Sequence, residues 1–172
     1  MFFQRKPSLP FDKEYFMALL AGTEGGLATT TAIVAGLMVG QTSREFIVTT
    51  ATISFLVQAF NGSVGRFSSE HTDDEINHED EKVGYKKPVL TAVLHFAAHV
   101  IMSVLVLLPI IYMTNEVSAL ISAIAISMAL LLFLGIYKGR VLKVQPIRDA
   151  AELVILGALI ICVGIIAGYS LS

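Results

Sequence analysis

The chain has 172 residues, of which 55% are hydrophobic and 15% are charged, and its formal net charge is −2. Soluble domains carry about 25% charged residues, so this composition excludes an ordinary soluble domain and indicates a small polytopic membrane protein. The nearly balanced charge excludes the broad basic surface of a nucleic-acid-binding protein. The single cysteine, Cys162, excludes an intramolecular disulfide framework and a cysteine-rich zinc module.

Five segments are long and apolar enough to cross a bilayer, which requires about 20 predominantly apolar residues per helix. They comprise residues 16–40, 46–67, 89–113, 118–137 and 150–171. We therefore predict an all-α, polytopic membrane protein with five transmembrane helices, forming a single domain over residues 1–172. The short connections predict antiparallel neighbours. Residues 68–88 form the only soluble segment of any size, a short acidic segment between helices two and three.

The positive charges are distributed unevenly between the two sides that these spans define. All but one of the 12 Lys and Arg residues lie before span one, between spans two and three, or between spans four and five. Arg44 alone lies on the other side. Because Lys and Arg are enriched in cytoplasmic loops, we predict a cytoplasmic N-terminus and an outside C-terminus.

Polar side chains from three different spans fall in one layer of the predicted membrane. With a rise of 1.5 Å per residue, they lie roughly 9 to 15 Å from the cytoplasmic boundary. This mixed oxygen and nitrogen set, with a thioether beside it, suits Fe²⁺, Mn²⁺, Co²⁺ or Zn²⁺. The alternative is hydrogen bonding between helices, with Glu24 protonated and Met102 only packing. The candidate path residues are Glu24, Gln58, Asn61, His95, His99 and Met102.

Small residues recur along span one at the spacing that lets another helix approach closely. Gly22 and Gly26 form one such pair, and Gly36 and Gly40 form a second. The partner helix could belong to the same subunit or to a second copy of the chain. In span five, Cys162 lies among apolar residues, and we interpret it as filler of the interior.

The acidic segment contains a second group of candidate ligands. If span two continues as a helix through EHTDDEINHEDE, several of these side chains share one stripe by i+3 and i+4 spacing. Such a stripe could collect divalent cations at the cytoplasmic side of a path. The alternative is a solvated charge run that keeps the loop soluble. The candidate collecting residues are Glu70, His71, Asp74, His78 and Glu81.

The motif GTEGGLATTTAIVAG in span one resembles the first span of the vacuolar iron transporter family of Fe²⁺/Mn²⁺ carriers. Other similar features are GRFSSE at the end of span two, Pro88 before span three, LLP at 107–109, and AELVILGALI in span five. The resemblance extends over nearly the whole chain. It implies a divalent-metal transporter that dimerises through span one.

The chain also departs from this family at positions where the family has metal-binding side chains. The family's first-span Asp corresponds to Gly25, its second-span Met to Gly62, and the acid that ends span two to Arg66. The resemblance therefore implies that Glu24 is a displaced counterpart of the Asp, and that residues 68–88 are a shortened cytosolic metal domain. His95 and His99 either replace the lost ligands or mark a branch with another substrate.

These observations lead to one hypothesis and two alternatives. The hypothesis is a homodimeric transporter that exports Fe²⁺ or Mn²⁺ from the cytoplasm in exchange for protons, with the metal as substrate and no cofactor. We find no nucleophile–base constellation, phosphate loop or cofactor motif, so we do not expect an enzyme, and a nucleic-acid partner is not expected. A prokaryotic inner membrane is favoured over a vacuolar membrane. The alternatives are a non-transporting membrane module whose acidic loop docks a partner, and a metal-independent proton or small-solute carrier.

Overall fold

The structure, a computed structural model, describes residue 9, residues 11–77 and residues 84–171. These residues form five α-helices: α1 (Lys13–Val39), α2 (Arg44–Asn77), α3 (Lys86–Tyr112), α4 (Glu116–Leu142) and α5 (Pro146–Leu171). All five are long and apolar enough to span a membrane, which confirms the predicted all-α class and the number of spans. The largest difference is in α2, which continues to Asn77 instead of ending near residue 67.

The helix ends follow from local sequence signals at the short connections. The Asn115 side chain caps α4 by accepting a hydrogen bond from the Ser118 N–H at 2.8 Å. At the other end of α4, Lys143 adopts a left-handed conformation with φ of 56°. Pro146 then occupies the first position of α5, where its missing N–H costs no helical hydrogen bond. We refer to the end at which α1, α3 and α5 begin as the N-terminal end of the bundle.

Helix α1 lies at the centre and contacts each of the other four helices. Its contact with α3 is a direct approach of two backbones. A Cβ atom added at Gly22 would collide with the carbonyl oxygen of His95, and one added at Gly26 would collide with that of His99. Because the residue numbers increase together along both helices, α1 and α3 run parallel.

The contact of α1 with α5 is built in the same way, nearer the other end of the bundle. A Cβ atom at Gly36 would collide with the carbonyl oxygen of Gly164, and one at Gly168 would collide with that of Gly36. Gly40 lies against Gly168, since its Cβ would be 3.5 Å from that carbonyl oxygen. Both small-residue pairs of the first span therefore pack against helices of the same chain.

Two hydroxyl pairs join the buried face of α1 to its neighbours. Thr30 Oγ1 donates to Ser103 Oγ of α3 at 2.8 Å, and Thr31 Oγ1 shares a short hydrogen bond with Ser127 Oγ of α4. All four side chains are buried. Hydrogen bonds of this kind stabilise helix contacts where lipid supplies no hydrophobic driving force.

The outward faces of α2, α4 and α5 are apolar, as expected for helices in contact with lipid. On α5 the exposed side chains include Ile155, Leu159, Val163 and Ile166. Cys162 belongs to this exposed surface, so our interpretation of it as interior filler is wrong. The apolar run around Cys162 did not distinguish a lipid-facing position from a buried one, because both are apolar in a membrane helix.

The α1–α5 contact gives a direct test of the packing. In Gly164→Ala, the new Cβ would collide with the backbone carbonyl of Ala32, so the helices must separate. We expect a loss of about 1–3 kcal/mol in the free energy of unfolding, the usual range for overpacking, seen as a lower thermal midpoint in detergent. Gly65→Ala is the matched control, because a Cβ at Gly65 meets nothing within 4 Å. An unchanged midpoint in Gly164→Ala would contradict the close contact.

Candidate functional site

Two histidines of α3 lie inside the bundle at the level where α1, α2 and α3 meet. His95 and His99 are 7% and 4% exposed. Their i, i+4 spacing places them on one face of the helix, and their ring centroids are 6.1 Å apart. The structure thus brings together the two imidazoles that the sequence analysis assigned to the path.

Each imidazole fills a space that a glycine of a neighbouring helix leaves open. A Cβ at Gly62 of α2 would collide with Nε2 of His95, and a Cβ at Gly25 of α1 would lie 3.1 Å from Nδ1 of His99. These glycines stand at the two positions where the resemblance led us to expect an Asp and a Met. The side chains missing from α1 and α2 are therefore replaced, in space, by imidazoles from α3.

One nitrogen of each ring lacks a hydrogen-bond partner among the described residues: Nδ1 of His95 and Nε2 of His99. In a neutral imidazole one nitrogen donates and the other has a free lone pair. A buried polar atom without a partner costs about 1–3 kcal/mol. The pair therefore offers nitrogen atoms that a metal ion or a water molecule would satisfy.

Glu24 is half-buried on α1 and has a different electrostatic environment. The charged side chains that act on it are Lys138, Arg66 and Glu152, from three different helices. In the sequence, Arg66 and Lys138 indicated orientation, and nothing predicted that both would act on Glu24. Their closeness to the span ends, within about one turn of the predicted boundaries, was the available signal.

The described residues contain no group of three or more His, Cys, Asp or Glu side chains that could hold a metal ion. Glu24 therefore does not join His95 and His99 in a closed three-ligand site in this conformation.

The other three candidates of the layer have different surroundings. Gln58 is half-buried and lines a groove of about 490 Å³ between α1, α2 and α5, together with Thr29 and Thr42. Asn61 is exposed, and Met102 packs against the main hydrophobic core. Gln58 therefore faces this groove, and Asn61 lies on the exposed surface of α2.

In the acidic segment, carboxylates of two helices converge on one lysine. Lys87 Nζ lies 2.8 Å from Glu70, 3.5 Å from Glu14 and 3.8 Å from Asp74. The extension of α2 thereby contacts the first turns of α1 and α3. Of the predicted stripe, Glu70 and Asp74 do share a face, whereas His78 and Glu81 lie outside the described residues. The ammonium group of Lys87 occupies the position at which these carboxylates would bind a cation.

His71 is held beside this cluster by aromatic contacts. Its ring lies 5.8 Å from that of Phe67 and 4.9 Å from that of Tyr85, measured between centroids. Its Nε2 is 3.4 Å from the Glu75 carboxylate. His71 therefore fixes the extension of α2 against the start of α3 and is partly withdrawn from solvent.

The ion pairs of Lys87 should hold the extension of α2 in place. In Lys87→Gln three carboxylates lose their common counterion, and we expect about 1 kcal/mol less local stability, in keeping with a partly exposed network. Amide hydrogen exchange in residues 70–76 should then be roughly fivefold faster. Lys86→Gln is the control, since Lys86 is exposed on the same turn. Equal exchange in both variants would show that Lys87 does not hold the extension.

The chain matches the family model of the VIT family over residues 70–169, which is more than half of its length. No curated protein matches it. The matched region contains the end of α2 and all of α3 and α4, so it includes His95 and His99, whereas Glu24 precedes it. The five helices and this match confirm the resemblance found in the sequence and support an integral, multi-pass membrane protein. The chain belongs to the VIT family of metal transporters.

Proposed function

We propose that the protein exports a divalent transition-metal ion, Fe²⁺ or Mn²⁺, from the cytoplasm in exchange for protons. The observation that carries this proposal is the buried pair His95 and His99, with nitrogen atoms that lack partners among the described residues, in a chain of a metal-transporter family. Metal ligands must be deprotonated to bind. The same imidazoles, and the Glu24 carboxylate, can therefore release protons when metal arrives and take them up when it leaves.

The distribution of positive charge supports an orientation for this export. Lys13, Lys86, Lys87, Arg140 and Arg148 all lie near the N-terminal end of the bundle, whereas Arg44 lies at the opposite end. By the positive-inside rule, the N-terminal end faces the cytoplasm. The acidic extension of α2 then lies on the side from which the ion is collected. We place the protein in the inner membrane of a prokaryotic cell.

On this proposal, Lys87 is a cation that belongs to the protein and competes with the arriving metal. Its ammonium group holds Glu14, Glu70 and Asp74 together, and a divalent ion would displace it to bind the same carboxylates. Oxygen ligands bind such ions readily without strong selectivity among them. Collection at this end would therefore concentrate metal, and discrimination would fall to the groups deeper in the bundle.

We also propose that two copies associate through the face of α1 that remains uncovered. Helices α2 and α5 make no contact with each other in the described residues, so a groove remains between them over α1. Because the small-residue pairs of α1 are used inside the subunit, this groove is where a second copy would approach. Such a dimer would bring Gln58 of each copy into the interface and complete a polar path.

One observation favours a second candidate function, a carrier of protons or a small solute that uses no metal. Arg66 and Lys138 act on Glu24, and fixed positive charges beside a carboxylate disfavour a divalent cation there. A non-transporting docking module is less well supported, because Lys87 already neutralises part of the acidic surface that would bind a basic partner. Metal dependence distinguishes these functions.

The primary test is uptake of Fe²⁺ and Mn²⁺ into proteoliposomes that contain a pH-sensitive dye. We expect metal flux with opposing proton movement in the wild type, and at least a tenfold loss of both in Glu24→Gln, which removes the charge and keeps the shape. Glu116→Gln is the control, since it makes the same change at an exposed position at the other end of the bundle.

Three results would contradict parts of this proposal. Undiminished flux in Glu24→Gln would remove Glu24 from the path. Proton flux without metal flux would support the metal-independent carrier. Absence of any flux in protein with a normal thermal midpoint would refute transport.

The orientation has its own test, which uses one labelled position on each side. In a Cys162→Ser background, Thr114→Cys and Gln145→Cys place a thiol in the exposed connections before α4 and before α5. In intact cells, a membrane-impermeant maleimide should label Thr114→Cys and should label Gln145→Cys only after permeabilisation. The reverse pattern would invert the orientation and turn export into import.

A further inference from the structure

We propose that His95 and His99 form a two-imidazole metal site that selects the transported ion, favouring Zn²⁺, Co²⁺ and Fe²⁺ over Mn²⁺. This inference deepens the proposed function and rests on it for its role in transport, although binding can be measured without transport. It places metal selectivity on α3, at two side chains for which the family resemblance implied no established role.

The distance between the two imidazole rings supports binding of one shared metal ion. Two imidazoles that bind one ion through bonds of about 2.0–2.1 Å have ring centroids no more than about 6.5 Å apart. The observed separation of the His95 and His99 centroids is 6.1 Å, with the rings tilted by 43°. The observed separation therefore falls within the range that one shared ion permits.

The burial and hydrogen bonding of the ring nitrogens also support a metal site. Both side chains are more than nine-tenths buried, and within the described residues Nδ1 of His95 and Nε2 of His99 have no hydrogen-bond partner. Hydrogen bonds between helices therefore do not account for these two nitrogen atoms.

The space provided for the rings also supports this site. Gly62 and Gly25 stand where any larger side chain would displace the imidazoles of His95 and His99, respectively. A helix glycine without a packing reason costs about 0.5–1 kcal/mol relative to alanine. These glycines are positioning residues, because they admit the two rings into the contact between α1, α2 and α3.

The chemistry of the pair determines the expected order of metals. Imidazole suits Zn²⁺, Fe²⁺, Cu²⁺ and Ni²⁺, whereas carboxylate, carbonyl and water suit Mn²⁺, Mg²⁺ and Ca²⁺. Affinity for such a nitrogen site also rises from Mn²⁺ through Fe²⁺ to Co²⁺. The pair therefore selects against Mn²⁺, which the carboxylates around Lys87 would admit.

The surrounding charges keep this binding reversible. The guanidinium group of Arg66 acts on His95, and its Nη2 donates to the Met17 carbonyl at 3.3 Å, which holds it near the site. A nearby positive charge and a set of only two protein ligands both weaken metal binding. Passage requires binding that is favourable enough for entry and weak enough for release.

The test is a Co²⁺ titration of the full chain in detergent, followed by the visible absorption of nitrogen-ligated Co²⁺. We expect a saturable band in the wild type, at least tenfold weaker binding in His95→Gln and in His99→Gln, and no band in the double variant. Ser127→Ala is the control, because Ser127 is a buried polar residue of α4 whose hydrogen-bond partner is Thr31, and it should behave as the wild type does. Zn²⁺ should displace Co²⁺ at a concentration at least tenfold lower than Mn²⁺.

Several outcomes would overturn the site. They are a band that persists in the double variant, a band that Ser127→Ala abolishes, and competition by Mn²⁺ equal to that by Zn²⁺. If the histidine variants do not fold, Gly62→Ala retains both imidazoles, and its Co²⁺ affinity must fall. In wild-type protein, Zn²⁺ must also raise the thermal midpoint more than Mn²⁺ does, since a ligand of the folded state stabilises it.

The outcomes for binding and transport are separable. A histidine-dependent Co²⁺ band in protein that shows no metal flux would sustain the site and refute transport. Metal flux in protein that lacks this band would refute the site alone.

Discussion

The bundle depends on the close approach of α1 to α3 and α5. At Gly22 and Gly26 the carbonyl groups of α3 lie where Cβ atoms would otherwise stand, and Gly164 admits α1 to α5 in the same way. This spacing lets small hydroxyl side chains reach across helix contacts. It also brings the imidazoles of α3 against α1 and α2. Wider helix spacing would remove both the hydrogen bonds and the enclosure of the histidines.

The properties that could be predicted from the sequence are those that a single helix determines. Apolar length identified the five spans, and helical periodicity placed His95 and His99 on one face and Glu70 and Asp74 on another. Each of these inferences needs only the rise and repeat of one helix. The continuation of α2 to Asn77 was foreseen as a condition of the acidic stripe for the same reason.

The pairings between helices could not be predicted, because they depend on which helices touch and how each is rotated. Gly62 gives no sign in the sequence that the ring of His95 lies against it, since a glycine has no side chain whose pattern could be read. Gln58 and Asn61 were expected to share one layer with the histidines, but within the described part of the chain α2 contacts only α1 and α3, and Asn61 is exposed. Lys87, counted as a marker of orientation, proved to be the centre of a charge cluster.

Two kinds of cation-binding group are separated along the molecule. Carboxylates lie at the N-terminal end around Lys87, and imidazoles lie deeper, between α1, α2 and α3. The fixed charges Arg66 and Lys138 act on Glu24, which lies on α1 between the glycines that pack against His95 and His99. A metal ion that moved inward would exchange oxygen ligands for nitrogen ligands, and a group that binds weakly and broadly would be followed by one that distinguishes between ions.

The central position of α1 also determines the order in which the chain can assemble during synthesis. Helix α1 leaves the ribosome before the other four helices of the bundle, yet Gly36 and Gly40 pack against α5, which follows them all. Until α5 enters the membrane, this glycine-rich face of α1 has only lipid beside it, and lipid packs poorly against a bare backbone. Helices α1 and α5 must therefore meet before the five-helix bundle is complete. A nascent chain that stalls before α5 would leave the glycine-rich face of α1 exposed, where the cell's protein quality-control machinery could recognise it.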